Sequence, residues 1–267
     1  MTVLETYLRE RYSDGGADSD RFEPDPEEIH ASQIGDCERK RWWKFRRQPE
    51  PGADAWPYFE LGHTLELTYG AALAVSHDDL PGSLVESGSP RQIVDASSAV
   101  EQDVNVTIER EGHEITGESD WVVFDSEPVD EVVVDADGEA MWRRGAETGE
   151  WSPGMAEKVI ETKTTGNMDW KRRNGPSPSH RYQIYPYMRA LSSPGEIVYV
   201  GRDALDELVY EEPLSRAFWF DVDMRAARHA ENYSRDDPPD ATPLNESECK
   251  FCPFADECAE LGGSPYL

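Results

Sequence analysis

Apolar and polar positions alternate most regularly between residues 100 and 125. VEQDVNVTIER and HEITGESDWVVFD each set an apolar side chain at nearly every second place, the period of a strand with one buried face. Glu111-Gly112 between them reads as the turn of a hairpin. This period-two region is predicted to run from about 84 to 135. Before it the pattern is helical. Residues 24 to 48, PDPEEIHASQIGDCERKRWWKFRRQ, are predicted as a helix with an N-cap near Ser32. Residues 57 to 76, PYFELGHTLELTYGAALAVS, form a second, opened by Pro57. Residues 126 to 156, acidic and Gly-containing, read as an inserted hairpin or loop, followed by a strand around Glu161. Residues 179 to 192 are predicted helical with a kink at Pro186. Residues 195 to 201 and 216 to 221 read as strands, 222 to 234 as a helix, and 243 to 267 show little periodicity.

This order predicts an α/β, mixed α+β fold: a central mixed β-sheet flanked by helices. The 267 residues suit one catalytic domain over 1–267. It would comprise an N-terminal helical segment (24–56), a core (57–235, with the 126–156 insertion) and a C-terminal tail (236–267), with the first and last parts closing over each other. No internal repeat is present. No apolar run approaches the ~18 residues that span a bilayer, and the charged start MTVLETYLRERYSDGG is unlike a signal peptide. A cytoplasmic, membrane-free protein is expected.

Charge changes the picture. Asp and Glu number 55 against 26 Lys and Arg, a formal net charge of -29. Such acidity can mark disorder, but eight Trp and eleven Tyr argue for a packed core. An acidic, lysine-poor globular chain resembles proteins of halophilic archaea, whose cytoplasmic salt screens charge to ~3 Å at 1 M. That composition would otherwise argue against a nucleic-acid partner. In molar salt, local Arg contacts and bound metal must do the positioning.

One carboxylate stands where it is costly, and a second follows on a later strand. Asp120 lies in the apolar-flanked ITGESDWVVF, and Glu161-Thr162-Lys163 lies on a later strand. Glu161 and Lys163, two apart, share a strand face. The carboxylates and the Thr162 carbonyl make an oxygen set suited to Mg²⁺ or Mn²⁺. Such a cation acidifies water and polarises phosphoryl oxygens, and Lys163 could orient the attacking water. An exposed salt bridge is the bland alternative, and D…ExK alone is a weak signal. Gln183 and Tyr187 are four apart, hence on one helix face that could pack against the active strand and contact a phosphate, which makes them candidate catalytic residues; a packed aromatic helix is the plain alternative. His63 and Glu66 are one helical turn apart, and either could add a ligand.

The cysteines stand at 37, 249, 252 and 258, a lone early residue and a C-x2-C-x5-C tail. Structural disulfides do not suit a cytoplasmic chain. Zinc usually takes two close pairs, whereas an iron–sulfur cluster tolerates a remote fourth thiolate. Iron–sulfur is favoured, with Zn²⁺ and unrelated thiols as alternatives. Either metal would staple the N-terminal segment to the tail.

In combination these motifs resemble the RecB-like branch of the PD-(D/E)xK nucleases, and within it the iron–sulfur exonucleases of CRISPR spacer acquisition. The matching residues are Cys37 with the following Arg-Lys-Arg-Trp-Trp, Gly117 to Asp120, Glu161 to Lys163, Gln183 with Tyr187, and Cys249, Cys252 and Cys258. The resemblance spans roughly residues 30 to 260. It departs at the early helix, where Gly62 is followed by His63 and the usual ligand position holds Glu66, and at the long 126–156 insertion. The resemblance implies a restriction-endonuclease-like core and a 4Fe–4S cluster on Cys37, Cys249, Cys252 and Cys258. It also implies divalent-metal hydrolysis of DNA, exonucleolytic on single strands and often 5′→3′, with CRISPR integrase subunits as partners. Viral or recombination and repair nucleases are the alternative context. A non-catalytic iron–sulfur or zinc DNA-binding subunit, or a protein adaptor, is the alternative class.

The basic residues are sparse enough to single out. Arg39, Lys40, Arg41, Lys44, Arg46 and Arg47 interleave with Trp42, Trp43 and Phe45, and Lys171, Arg172 and Arg173 follow Trp170. Cations beside aromatics suit single-stranded DNA. Alternatively the aromatics are core and the Arg stems cover them.

Overall fold

The computed structural model describes residues 25–47, 56–78, 80–125 and 127–266. Its frame is one mixed sheet of nine strands among the described residues. The strands are β1 (Glu28–His30), β2 (Val100–Arg110), β3 (His113–Phe124), β4 (Glu131–Val134), β5 (Ala140–Arg144), β6 (Glu147–Glu150), β7 (Ala156–Thr165), β8 (Gly195–Gly201) and β9 (Glu207–Glu212). They run in the order β6-β5-β4-β2-β3-β7-β8-β9, with β1 against β3. The helices are α1 (Ala31–Ile34), α2 (Glu38–Arg47), α3 (Trp56–His77), α4 (Gly82–Ser87), α5 (Pro90–Asp95), α6 (Met168–Asn174), α7 (Pro178–Leu191), α8 (Arg216–Tyr233), α9 (Glu246–Lys250) and α10 (Ala255–Glu260). No helix of the described residues is long and apolar enough to cross a membrane.

The sheet's two faces bury different sets. Trp121, Val123, Ile160, Val198 and Val200 pack against Leu65, Leu73 and Ala74 of α3 and Ile93 and Val94 of α5. Val122, Val159, Ile197 and Tyr199 pack on the opposite side with α1, α7 and α8. Helix α3 can approach because Gly70 sits over Trp121, where a Cβ would lie 2.1 Å from the ring.

Several elements depart from the sequence pattern. The helix expected over 24–48 is β1, α1 and α2, because Glu28–His30 pairs in parallel with Glu114–Thr116. The cap falls on His30, whose ring accepts from the Ser32 amide; residues 24 and 48–55 lie outside the described set. The period-two region begins at Val100, since α4 and α5 occupy residues 82–95, the second held by a Ser89–Gln92 capping box. Residues 216–221 are the start of α8, not a strand. AFWF has strand-like side chains, but the Ser215 hydroxyl caps the Phe218 amide, and Val222, Ala226, His229 and Tyr233 bury at helical spacing. The 126–156 stretch supplies β4, β5 and β6, which extend the sheet. Strand β9 and helix α6 were not anticipated.

Candidate active site and cysteine staple

Strand β3 has two partners on one edge. β1 takes Glu114–Thr116 and β7 takes Trp121–Phe124. Gly117 to Asp120 fills the gap between them, where β3 and β7 fork. The Thr162 amide donates to Asp120 Oδ2 at 2.6 Å and bridges the fork. Extending the Trp121–Ile160 register by one step sets Asp120 opposite Glu161, so their side chains share a face. The Lys163 ammonium pairs with Glu161 Oε1. Glu161 is fully buried, and its Oε2 has no hydrogen-bond partner.

Burial and then the Asp120 charge push the Glu161 carboxyl up to about 8, against the pull of Lys163. Burial also raises Asp120, opposed by Lys163 and the Thr162 amide. Glu66 on α3 accepts from Gln102 at 3.3 Å. Burial, Asp120 and Asp103 push its carboxyl up to about 7. The Lys163 ammonium is held charged, because Glu161, Asp120 and Glu66 together outweigh its desolvation. Three carboxylates facing one ammonium leave two negative charges uncompensated when all are ionised. An all-oxygen donor set with that charge and an orphaned buried oxygen fits a hard divalent cation. Among the described residues no group of three His, Cys, Asp or Glu is drawn together as a ready-made metal cage.

The two early-helix candidates separate. Gly62, Glu66 and Gly70 form one stripe facing the sheet, with Gly62 close to Thr164; His63 is exposed, on the Asp103 side. On α7, Tyr187 is buried and Gln183 half-buried. Burial, then Glu161, Asp120 and Glu118, push the Tyr187 phenol well above its usual range. A Cβ on Gly117 would lie 2.7 Å from the Tyr187 hydroxyl, so the glycine lets the helix reach the fork.

Asp103 was missed by sequence reasoning. It stands across from Asp120, at the one position where the β2–β3 ladder lapses, with φ of 56°. Although the residue is exposed to solvent, partial desolvation of its carboxyl, with the Glu118 and Asp120 charges, pushes it up to about 6. Its signal in the sequence is only an acidic residue at a mid-strand position.

The basic residues take mostly internal partners. On α2, Arg39 is buried and donates to the carbonyls of Pro239 (2.7 Å) and Gly263 (3.2 Å). Arg41 donates to the Tyr233 hydroxyl at 3.2 Å. Arg46 covers Trp42 and donates to the Tyr233 carbonyl at 3.0 Å. Arg47 pairs with Glu257 at 2.7 Å, and Lys40 and Lys44 pair with Asp36. Trp42 and Trp43 pack with Phe254 and Cys258, and Phe45 stacks on Tyr233. On α6, Lys171 is buried over Tyr199 and donates to Ser177 at 2.6 Å. Desolvation lowers its ammonium to about 8. Arg172 pairs with Asp206 at 2.8 Å; Arg173 is exposed and unpartnered among the described residues.

Cys37, Cys249, Cys252 and Cys258 line one small cavity together with Arg39, Lys40 and Glu248. All four thiols are free. Residues more than 200 apart in the chain thus line the same cavity, though among the described residues they are not gathered as a ready-made metal cage. Four thiols with two cations beside them suit a thiolate-held metal centre.

No family model and no curated protein matches the chain. Its fold is similar to that of the crystal structure of SSO0001, at 18% identity and a TM-score of 0.56, covering 100% of this chain and 98% of that one. A more distant similarity, TM-score 0.36 and 11% identity over 88% of this chain and 94% of that one, is to an alkaline exonuclease (LHK-Exo) from Laribacter hongkongensis. The fold these observations define is a mixed α/β one with a central mixed sheet flanked by helices.

Proposed function

We propose that the protein is a divalent-metal-dependent deoxyribonuclease of the PD-(D/E)xK, RecB-like type. The observation that carries this reading is the fork. Asp120 is tied to the Thr162 amide, Glu161 is buried with an unsatisfied oxygen, and Lys163 lies against it. Glu66, Asp120 and Glu161, with the Thr162 carbonyl, would hold Mg²⁺ or Mn²⁺. That cation would acidify a water and polarise the scissile phosphoryl group. Lys163, held charged by three carboxylates, orients the attacking water and offsets charge gathering on the phosphate oxygens. Glu66 serves rather than His63, because it lies on the sheet-facing stripe. Tyr187 and Gln183 form the wall behind the carboxylates and fix their approach to the strand.

The cysteines, in the same reading, hold a 4Fe–4S cluster that joins the chain's two ends. Single-strand 5′→3′ action, a role in CRISPR spacer acquisition and integrase partners follow from the sequence resemblance. Arg173 contacts the DNA backbone.

The test uses the full chain, labelled single-stranded DNA and Mn²⁺ in concentrated KCl. The wild type degrades the strand and Lys163→Ala does not. Equal loss of DNA with both proteins would refute the assignment of the active centre.

A further inference from the structure

We propose that Arg39 sets the reduction potential of the centre held by the four cysteines and slows its loss of metal. This deepens the cluster reading above and rests on it. Arg39 lies two residues after Cys37 on α2, and its guanidinium is buried at the cavity the cysteines line. Nη1 donates to Cys258 Sγ at 3.3 Å and to the Gly263 carbonyl at 3.2 Å, and Nε donates to the Pro239 carbonyl at 2.7 Å. One rigid fork therefore ties the helix of the first cysteine to both flanks of the segment bearing the other three. Lysine could not make this set, having a single nitrogen at its tip.

The two cations at the cavity differ in their partners. Lys40 also acts on Cys252, but it is paired with Asp36 and lies 3.8 Å from Glu248, and among the described residues no hydrogen bond joins it to a sulfur. Among the described residues Arg39 has only one carboxylate partner, Asp240, 4.0 Å away and fully exposed, where salt screens it. Its charge is thus directed at sulfur. Among the described residues the Cys249 sulfur has only the neutral Ser264 hydroxyl, at 3.0 Å. A charged donor on a ligating sulfur draws electron density from the metal and favours the reduced state, which carries one more negative charge.

The experiment compares wild type, Arg39→Gln and Arg39→Lys, each full-length and purified without oxygen in molar KCl. Iron per chain is counted first. Each protein is then titrated with dithionite, which supplies the single electron, and separately exposed to an iron chelator. Arg39→Gln shifts the reduction equilibrium about tenfold toward the oxidised form, ~59 mV for a one-electron couple, and loses iron several-fold faster. Arg39→Lys recovers more of the potential than of the retention, since it keeps the charge without the fork. Should Arg39→Gln fail to fold, Arg39→Lys still decides: wild-type behaviour in both assays overturns the proposal. Wild-type potential and loss rate in Arg39→Gln overturn it too, while leaving the cluster intact. A wild type without iron at the cysteines overturns the cluster reading and the proposal together.

Discussion

The fork in the sheet and the surroundings of the cysteine-lined cavity treat charge in opposite ways. Around the cavity, buried charges are answered. Glu38 accepts from Arg228 at 2.8 Å and Asn232 at 2.9 Å, and these partners outweigh its burial and hold its carboxyl below the usual range. Arg225 reaches the carbonyls of Ile34, Asp36 and Thr242 at 2.7 to 2.9 Å. At the fork they are not answered. Glu66, Asp120 and Glu161 crowd one ammonium, and all three carboxyls are pushed up. Buried charge normally persists only when paired. A fully satisfied cluster therefore marks architecture, and an unsatisfied one marks a place kept for a ligand. The densest basic stretch in the chain, on α2, lies at the architectural end, where its cations grip carbonyls and aromatic faces.

The sharpest break in that contrast is catalytic. Lys163→Ala is expected to lower DNA cleavage about 10²–10³-fold in a gel assay, while Arg41→Ala leaves the rate within a few-fold of wild type. The next is thermodynamic and opposite in sign at the two regions. Glu38→Ala strands Arg228 and costs about 2–3 kcal/mol in denaturant unfolding. Glu161→Gln relieves repulsion and stabilises the metal-free protein by about 1–2 kcal/mol; a destabilised Glu161→Gln would contradict the account of the fork.

The pH response separates the regions again. The folded-state pKa of Glu161, about 8, exceeds the usual 4.5. The folded protein keeps a proton there that the unfolded chain releases, so metal-free stability falls as pH rises from about 4.5 to about 8. Glu66 and Asp103 act in the same direction. The depressed carboxyl of Glu38 acts oppositely, its contribution present above the usual pKa and lost as pH falls below it. Melting temperatures between about pH 3 and 8 check both signs, and added Mn²⁺ should flatten the upper slope because cation and proton compete for the same oxygens.

Two smaller effects sharpen the picture. Gly117→Ala should cost about 1–3 kcal/mol through its clash with the Tyr187 hydroxyl, and Tyr187→Phe should relieve part of that in the double variant. Arg173→Ala should weaken DNA binding modestly and reduce the salt slope by about 1, seen by fluorescence anisotropy at several KCl concentrations.

Much of the framework is visible in sequence where one rule dominates. The β2–β3 hairpin follows from strict alternation around Glu111-Gly112, and α3 and β8 fall within a residue of their predicted bounds. Helix α8 was misread at its start because Phe218, Trp219 and Phe220 carry strand-like side chains while the cap sits on Ser215. The types and spacing of Asp120, Glu161 and Lys163 are legible, but their meeting is not: it depends on which strand lies beside β3, a long-range choice that no local pattern encodes. The same holds for Asp103, across the ladder from Asp120, and for Lys171, whose burial over Tyr199 is created by strand β8.

The central claim is that Glu66, Asp120 and Glu161 share one divalent cation. Calorimetric titration of the full chain with Mn²⁺ in molar KCl, where weak surface carboxylate binding is suppressed, tests it most directly. One site per chain that disappears in Glu161→Gln is the expected result. Unchanged binding in Glu161→Gln would contradict it.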